Sequence, residues 1–510
     1  MPMKRRNLLK GAAALGVLSS LPGRAPAAPR SGGHVRVAMG HGGSSDSYDP
    51  ATYANNYIQA QTYGRNNMLT EIAPDGGLRG ELAESFEASA DAKTWRFKLR
   101  KGVTFHNGKT LTAEDIIASI NYHRGENSKS AVKALVEPVV DLRRDGDWVV
   151  FDLEAGNADF PFLFADYHFA IFPSADGEID FSQGVGTGGY MIKSFEPGIR
   201  TELVRNPDYW KADAAFFEEI ELLSVLDATA RVTALTTGEV DIADKIDPKT
   251  GPLVSRAPGV NMMETAGAQH FTFAMDTRQG PFNDANVRLA LKYGVDRQEL
   301  VEKILGGYGS VGNDHPIPRS NIFFNADLEQ RAFDPDRARF HLKQAGLDEL
   351  SVELHAADAA FTGAVDAATL YRESAGGSGI DIRVVREPND GYWKNVWMQK
   401  PWTAVYWSGR PTADWMFTTA YAADAKFNDT FWHNDRFNEL IVAARAELDD
   451  ARRREMYHEM QAIVRDDGGA VIPMFASYIA ATRDTVGRPD VIGDNFDLDG
   501  LRFVERWWLV

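Results

Sequence analysis

Strand-like and helix-like patterns of hydrophobic residues alternate along the chain. In residues 94–106, Trp95, Phe97 and Leu99 fall on one face and arginines and lysines on the other, which is the two-residue period of a half-buried strand. Residues 147–153 have a second strand pattern. Strands that alternate with helices along a chain predict an α/β fold.

Helical periodicity is strongest in three segments. The first follows Thr112, a natural N-cap with two acidic residues in the next turn, where the helix dipole favours negative charge. The spacing of apolar residues predicts a second helix over residues 284–305 and a third over residues 435–466. Residues 501–510 have the pattern of a strand that returns the C-terminus to a distant sheet.

The N-terminus has the form of an export signal. Residues 4–10 are basic, residues 11–21 are apolar, and residues 25–27 have the small-x-small form of a cleavage site. The apolar run is shorter than the roughly 20 residues that a membrane span needs. The pair Arg5-Arg6 is typical of a twin-arginine signal, and an ordinary secretory signal is the alternative. We expect residues 1–27 to be removed and the mature protein to lie in the periplasm.

Charge and cysteine content limit the classes of partner. The net charge of −17 becomes −22 when residues 1–27, with five basic residues and no acid, are removed. Nucleic-acid binding depends on basic patches, so this charge argues against it and against an anionic membrane surface. The chain has no cysteine, which excludes disulfides and a lipid attachment site.

The length of the chain predicts more than one domain. About 480 residues remain after cleavage, and a single hydrophobic core usually stops growing at about 250–300 residues. The sequence shows no repeat, no low-complexity tract and no long linker. Two or three closely interlocked domains are therefore expected.

Six segments together resemble the extracytoplasmic solute-binding proteins of the peptide/opine/nickel ABC-importer family (family 5, similar to dipeptide- and oligopeptide-binding proteins). The segments, in chain order, are 82–116 (LAESFEASADAKTWRFKLRKGVTFHNGKTLTAEDI), 186–198 (GTGGYMIKSFEPG), 206–210 (NPDYW), 234–242 (ALTTGEVDI), 271–297 (FTFAMDTRQGPFNDANVRLALKYGVDR) and 333–346 (FDPDRARFHLKQAG). Most of these residues are structural, so the resemblance identifies a fold and leaves the ligand open.

The resemblance implies a two-lobed α/β periplasmic-binding-protein fold (type II, large cluster C) with a subdomain inserted in the first lobe. The implied boundaries are residues 32–70, 190–272 and 480–510 for lobe I, 71–189 for the inserted subdomain and 273–479 for lobe II. It also implies a monomer without cofactor or metal. Such a monomer would bind a small-molecule solute and deliver it to ABC permease subunits in the inner membrane, which work with their ATPases.

A secreted hydrolase is the competing class of protein. The sequence contains no GxSxG nucleophile elbow and no HExxH metal helix, and cysteine nucleophiles are absent. The eleven histidines are scattered, with no pair at the spacing of helical metal ligands. The motif search therefore favours a binding protein over an enzyme.

Tryptophans are concentrated where a ligand site is expected. Six of the eleven lie within residues 393–432, and Trp407 and Trp415 flank a bend that follows a predicted strand. Ligand pockets of α/β proteins lie at strand ends and are largely apolar. We therefore predict that Trp407 and Trp415 line the cleft; packing in the core is the alternative.

Arg410 occupies that bend. In the dipeptide and oligopeptide binders of the resembled family, an acid at the aligned position captures the free α-amino group of the ligand. A guanidinium repels an ammonium and instead offers a planar fork of donors to a carboxylate, phosphonate or sulfonate. Arg410 is thus predicted to hold an anionic group of a small peptide-like or amino-acid-derived solute. The alternatives are a salt bridge to an acid of the opposite lobe, and a conventional di- or oligopeptide, acidic-sugar or metal-chelate receptor.

Residues 49–57 form a second predicted wall of the cleft. The segment resembles a first-lobe loop that lines the ligand cleft in the family. In that role Asn55 and Asn56 would supply amide donors and acceptors, and Tyr53 and Tyr57 would stack on the ligand. Ordinary turn chemistry at the two asparagines is the alternative.

Export provides the first test. If the twin-arginine interpretation is correct, the double change Arg5→Lys with Arg6→Lys should leave the precursor in the cytoplasm, because the pair is the distinguishing feature of that signal. Cell fractionation followed by immunoblotting measures the outcome. Undiminished export of the double variant would leave only a general secretory signal.

Overall fold

Two mixed β-sheets are the centres of two lobes. The computed structural model describes residues 29–510, so the predicted signal peptide, residues 1–27, lies outside the described residues. The sheet of the first lobe has seven strands in the order Tyr190–Glu196, Arg200–Arg205, Glu219–Ser224, His34–Met39, Ile242–Ala243, Tyr478–Arg483 and Val260–Thr265. The sheet of the second lobe has six strands in the order Gly309–Val311, Ala470–Ala476, His270–Met275, Trp402–Trp407, Leu350–Ala356 and Ile380–Arg386.

A third sheet forms a subdomain. Its four antiparallel strands follow the order Ala83–Ala88, Thr94–Leu99, Trp148–Leu153 and Val139–Asp145. Trp95, Phe97 and Leu99 are buried in its core, as their alternation predicts. The helix Ala113–Tyr122 contacts this sheet, and Thr112 and Asp115 form a capping box at its start.

The remaining elements connect these sheets and cover their faces. The other α-helices are Asn56–Arg65, Lys133–Val136, Phe160–Leu163, Ala228–Thr237, Gly251–Val254, Ala285–Tyr293, Arg297–Ile304, Pro335–Gln344, Ala364–Gly376, Tyr392–Asn395, Ala413–Ala420, Asp435–Ala446, Asp450–Asp467 and Phe503–Arg506. Short 3-10 helices lie at Pro50–Thr52 and Tyr167–Phe169. Two-stranded ribbons pair Thr70–Ile72 with Leu78–Gly80, Ser174–Ala175 with Glu178–Ile179, and Val486–Gly487 with Trp508–Leu509. No helix of residues 29–510 has the length and apolar character that a membrane crossing requires.

Three predicted elements differ from the observed ones. The predicted helix over residues 284–305 is two helices, because the first ends at Gly294 and Asp296 caps the next by accepting from the backbone N–H of Glu299. The predicted helix over residues 435–466 is likewise interrupted, and Asp449 caps its second part.

The prediction for the C-terminus was also wrong. Residues 501–510 form a short helix and a two-residue strand that pairs with Val486–Gly487 rather than joining a large sheet. Trp507 is nevertheless fully buried in the core of the first lobe. The apolar residues of this segment therefore anchor the C-terminus by packing in the core. In the sequence, residues that pack in this way give the same pattern as a strand.

The chain crosses between the lobes twice, and the two crossings are adjacent. One lies between residues 265 and 270, the other between residues 476 and 478. A Cβ on Gly267 would lie 2.1 Å from the carbonyl oxygen of Ala476, so only glycine permits this approach. Gly409 is constrained in the same way, since its Cβ would lie 2.3 Å from the Cβ of Ala268. The bend that carries Arg410 is thus packed directly against a crossing.

Five charged side chains join the first lobe, the subdomain and the C-terminus. Lys211 Nζ lies 2.6 Å from Glu81, 3.0 Å from Glu71 and 3.3 Å from Glu505. Arg502 lies 2.9 Å from Glu81 and 2.7 Å from Glu505. The three carboxylates are close enough together to surround a metal ion. Lys211 and Arg502 each pair with all three carboxylates, so we interpret the group as an ion network rather than a metal site.

The pKa of Glu81 reflects this network. Burial opposes ionisation of Glu81, but Arg502 and Lys211 outweigh it and hold the pKa of the carboxyl well below its usual value. The carboxylate is therefore charged, and removing a cation would leave negative charge buried without compensation.

The variant Arg502→Met tests the network. We expect it to lose about 3–5 kcal/mol of unfolding free energy, because one partner of a buried ion pair is removed. Urea denaturation followed by circular dichroism measures this loss. Arg200→Met is the control, since Arg200 pairs with Glu196 at 2.8 Å on the exposed surface of the same lobe and should change stability far less. Equal losses in the two variants would contradict the role given to the network.

Candidate functional site

A cavity lies between the two lobes at the end of the strand Trp402–Trp407. Its volume is about 70 Å³. The subdomain contributes Asp159 and Phe162, and the second lobe contributes Phe323 and Arg410. The site is therefore built from parts of the chain that only the folded arrangement of lobes brings together.

Arg410 is half-buried in the wall of this cavity, and its hydrogen bonds among the described residues are all to its own turn. Its Nη1 donates to the carbonyl oxygens of Ser408, at 3.1 Å, and Gly409, at 3.2 Å. Within residues 29–510, no carboxylate oxygen lies within 4.0 Å of its guanidinium, so the salt bridge that the sequence left open is not formed there. Burial lowers the pKa of Arg410 without a compensating carboxylate. Its other N–H donors remain available to a ligand.

Asp159 contributes a carboxylate to the same cavity from the subdomain. Its Oδ1 accepts from Arg453 Nη2 of the second lobe at 2.6 Å, and both side chains are buried. Its Oδ2 is buried without a hydrogen-bond partner. A buried oxygen without a partner is costly, so a donor from a bound ligand would lower the free energy of the closed cleft.

Further contacts join the lobes around Asp159. The backbone N–H of Ala158 donates to the carbonyl oxygen of Arg445 at 2.7 Å. Arg445 also pairs with Asp414 at 3.2 Å. Burial raises the pKa of Asp414 to about 6, although Arg445 opposes this rise. On the other side of the cavity, burial raises the pKa of Asp494.

Trp407 is held by a buried carboxylate. Its indole N–H donates to Asp429 Oδ2 at 3.2 Å, and the indole N–H of Trp397 donates to the same oxygen at 3.2 Å. Burial raises the pKa of Asp429 to about 6, and the two indole bonds partly offset that rise. Sequence reasoning missed Asp429. The acid has no local motif, and its role depends on a contact across 22 residues of chain.

Trp415, Tyr53, Asn55 and Asn56 do not line the cavity. Trp415 is half-buried on the helix Ala413–Ala420, which Thr412 caps as its sequence position predicts. The hydroxyl of Tyr53 is bonded within the first lobe, where it accepts from Arg65 and donates to the carbonyl oxygen of Tyr48.

The two asparagines have local structural roles. The side chain of Asn55 caps the helix Asn56–Arg65 by accepting from the backbone N–H of Ile58 at 3.1 Å. The backbone N–H of Asn56 donates to His41 at 3.2 Å. The cap at Asn55 fits the alternative of local turn chemistry stated above. Their role in ligand binding stays a prediction that the cavity does not support.

A strained turn positions another wall that the sequence did not reveal. Asp494, Asn495 and Phe496 line the cavity from the first lobe. They are followed by four residues, 498–501, with φ angles of 49°, 62°, 66° and 60°. Asp499 supports this left-handed turn by accepting from the backbone N–H of Gly493 at 2.6 Å. Strain of this kind is retained at ligand sites when surrounding contacts determine the conformation.

Two chain segments, adjacent to each other, connect the two lobes, and the cavity lies between the lobes. This arrangement is that of two-lobed solute receptors, which close around a ligand. The chain belongs to the bacterial extracellular solute-binding proteins, family 5, whose model for the middle region matches residues 77–429. Proteins of this family are transport receptors without enzymatic activity. The chain is therefore the substrate-binding component of an ABC importer rather than an enzyme.

Similar proteins support the family and the fold. The di/tripeptide-binding protein 2 of Pseudomonas aeruginosa is 24% identical over 462 residues, covering 82% of this chain and 86% of that protein. The structure of HbpA2 from Haemophilus parasuis has a TM-score of 0.82 at 20% identity and covers 94% of this chain and 100% of that one. The structure of AgaA from A. tumefaciens R10 with agropinic acid has a TM-score of 0.72 at 22% identity, covering 94% and 99%. The predicted two-lobed α/β fold is confirmed.

The pair Asp159–Arg453 provides a test of lobe closure. Asp159→Ala should favour the open form, because Arg453 can regain water only if the lobes separate, and an unpaired buried charge costs about 3–5 kcal/mol. Small-angle scattering without added solute should show a larger radius of gyration. Arg436→Met is the matched control, since it breaks an exposed pair with Glu459 within the second lobe. An unchanged radius for Asp159→Ala would show that the pair does not hold the lobes together.

Proposed function

We propose that this protein captures a small amino-acid-derived or peptide-like solute in the periplasm, as a monomer. It delivers the solute to ABC permease subunits in the inner membrane, which work with their ATPases. Arg410 holds an anionic group of that solute. The observation that carries this proposal is a guanidinium that lines the cleft with no carboxylate within 4.0 Å among residues 29–510.

The electrostatics of Arg410 favour an anion. Its charge is partly removed from water, and two backbone carbonyls of its own turn are its only bonds among the described residues. A carboxylate placed against the guanidinium would restore the lost stabilisation through charge-assisted hydrogen bonds. Closing the lobes around the ligand would exclude water and strengthen that interaction. Binding and closure are therefore coupled, because the ligand has a higher affinity for the closed form.

The opposite wall favours a solute that also carries a donor. Asp159 lines the cavity that Arg410 also lines, and its buried Oδ2 has no hydrogen-bond partner among residues 29–510. An ammonium or amide N–H of the solute would satisfy this oxygen. A molecule with an anionic group at one end and an N–H donor at the other has the composition of an amino-acid derivative.

A di- or tripeptide receptor of the usual kind is the second candidate. The name of the Pseudomonas aeruginosa relative favours this candidate. In such a receptor the ammonium of the peptide would bind Asp159, because Arg410 repels it. The peptide carboxylate would then bind Arg410. The peptide would lie in the reverse of the orientation that it has when an acid at the aligned position holds its amino group.

The variant Arg410→Ala tests the proposed function. The solute that co-purifies with the parent protein is identified by mass spectrometry and then titrated by calorimetry. Loss of one partner of a desolvated charged pair costs about 2–5 kcal/mol, so the dissociation constant should rise by about 30-fold or more. Arg410→Lys should recover only part of this affinity, because an ammonium lacks the planar fork of donors.

A matched control separates binding from folding. Arg436→Ala removes an arginine of the same lobe that pairs with Glu459 outside the cavity, and it should leave the dissociation constant unchanged. The melting temperature of Arg410→Ala should stay close to that of the parent, since Arg410 bonds only to its own turn. An Arg410→Ala protein that binds the solute as tightly as the parent would contradict the anion site.

A further inference from the structure

Exposed aromatic side chains are concentrated beside the cleft. Five large aromatic residues are exposed within residues 29–510, and three of them, Trp393, Tyr406 and Phe427, line one pocket. Exposed apolar groups that gather in one place usually mark a binding surface, whereas single ones need no explanation. Together with Trp397, these three residues are called the aromatic bay.

The rings of the aromatic bay are arranged as walls around an open space of about 400 Å³. The ring of Trp393 stands nearly perpendicular to that of Trp397, at 5.7 Å between centroids, and to that of Tyr406, at 5.5 Å. Phe427 lies nearly parallel to Trp397 at 6.1 Å. Such faces and edges are suited to stacking against a planar group.

The walls are fixed before a ligand arrives. Asp429 Oδ2 accepts from the indole N–H groups of both Trp397 and Trp407, which also lines the pocket. One buried carboxylate thus sets the orientation of two neighbouring rings. Preorganised walls reduce the entropy that is lost when a ligand is immobilised.

Charge determines which aromatic ligands fit. Aromatic faces alone attract cations, but Arg410 is the one charged residue that lines the pocket, and it lines the cleft cavity as well. Lys426 adds positive charge, with its Nζ 5.6 Å from the centre of the Phe427 ring. None of the described residues that line the pocket carries a carboxylate. The bay is therefore complementary to an aromatic group attached to an anion.

We propose that the aromatic bay is a specificity subsite that binds a planar aromatic group of the solute whose anionic group Arg410 holds. This inference rests on the proposed function, and it narrows the solute to the class of aromatic carboxylates and related aromatic anions. The shared position of Arg410, in the walls of both the cavity and the bay, joins the two parts of the site.

The experiment uses three probes that separate ring and charge. Indole-3-acetate has an aromatic ring and a carboxylate, cyclohexylacetate has a carboxylate and a saturated ring, and tryptamine has an aromatic ring and an ammonium. Calorimetry on the full-length mature protein should show indole-3-acetate binding about three- to tenfold more tightly than cyclohexylacetate, which is the range expected for one aromatic contact. Tryptamine should bind more weakly than both carboxylates.

Two variants test whether the bay causes this preference. In Trp393→Leu and Phe427→Leu the ratio of the two carboxylate affinities should fall to about one, since leucine keeps apolar area but removes the ring. Phe340→Leu is the matched control, because Phe340 is an exposed aromatic of the second lobe, outside the pocket, and it should keep the parent ratio. All three positions are exposed, so the variants should fold.

Failure of this inference differs from failure of the anion site. The subsite is overturned if the parent protein binds neither carboxylate or binds both equally. It is also overturned if both bay variants keep the parent ratio of the two carboxylate affinities. The change Arg410→Ala should weaken both carboxylates by the same factor while the aromatic preference remains. If Arg410→Ala binds both as tightly as the parent, the anion site is wrong; the affinity ratio in the bay variants still decides whether the bay recognises the ring.

Discussion

The buried ion network of Lys211 and Arg502 with Glu71, Glu81 and Glu505 is the constraint on which the cleft depends. Glu71 and Glu81 begin the segment that carries the subdomain, whereas Arg502 and Glu505 lie near the C-terminus. The network therefore fixes the subdomain relative to the first lobe. That position matters for binding because the subdomain supplies Asp159, one of the walls of the cavity. Ionic pairing outside the cavity wall thus helps to determine the shape of the site.

The cleft shows the opposite use of buried charge. In the ion network every charge has a partner, whereas Arg410 and one oxygen of Asp159 are left without one among the described residues. An unpartnered buried group raises the free energy of the closed protein. A ligand that satisfies both groups removes this cost only when the lobes are closed. The incomplete pairing of these two residues therefore makes ligand binding favour closure.

Local features of the sequence predicted local structure well. The alternation of Trp95, Phe97 and Leu99 and the cap at Thr112 are determined by neighbours in the chain, and both appear as expected. The long helix over residues 284–305 was misread because its apolar periodicity continues across a glycine that ends the first helix. Arg410 was found in the cavity wall because a strand end is a local signal, whereas Trp407 lines the neighbouring pocket and not the cavity. Asp159 was not found, since its pairing with Arg453 spans 294 residues and exists only when the lobes meet.

Arg410 sets the positive charge at the bend that follows the strand Trp402–Trp407, because the neighbouring His270 is neutral. His270 is the nearest titratable side chain in the adjacent strand, where it pairs with Trp407. Burial lowers the pKa of His270 to about 4; a bond to the carbonyl oxygen of Ala268 opposes this, while the nearby Arg410 lowers the pKa further. The histidine is therefore neutral at the pH of a neutral or mildly acidic periplasm. Because Arg410 does not titrate in that range, the positive charge at the bend stays at one unit. Trp407, which pairs with His270 across the two strands, also lines the aromatic pocket, so this strand end brings the charged bend and the aromatic walls together.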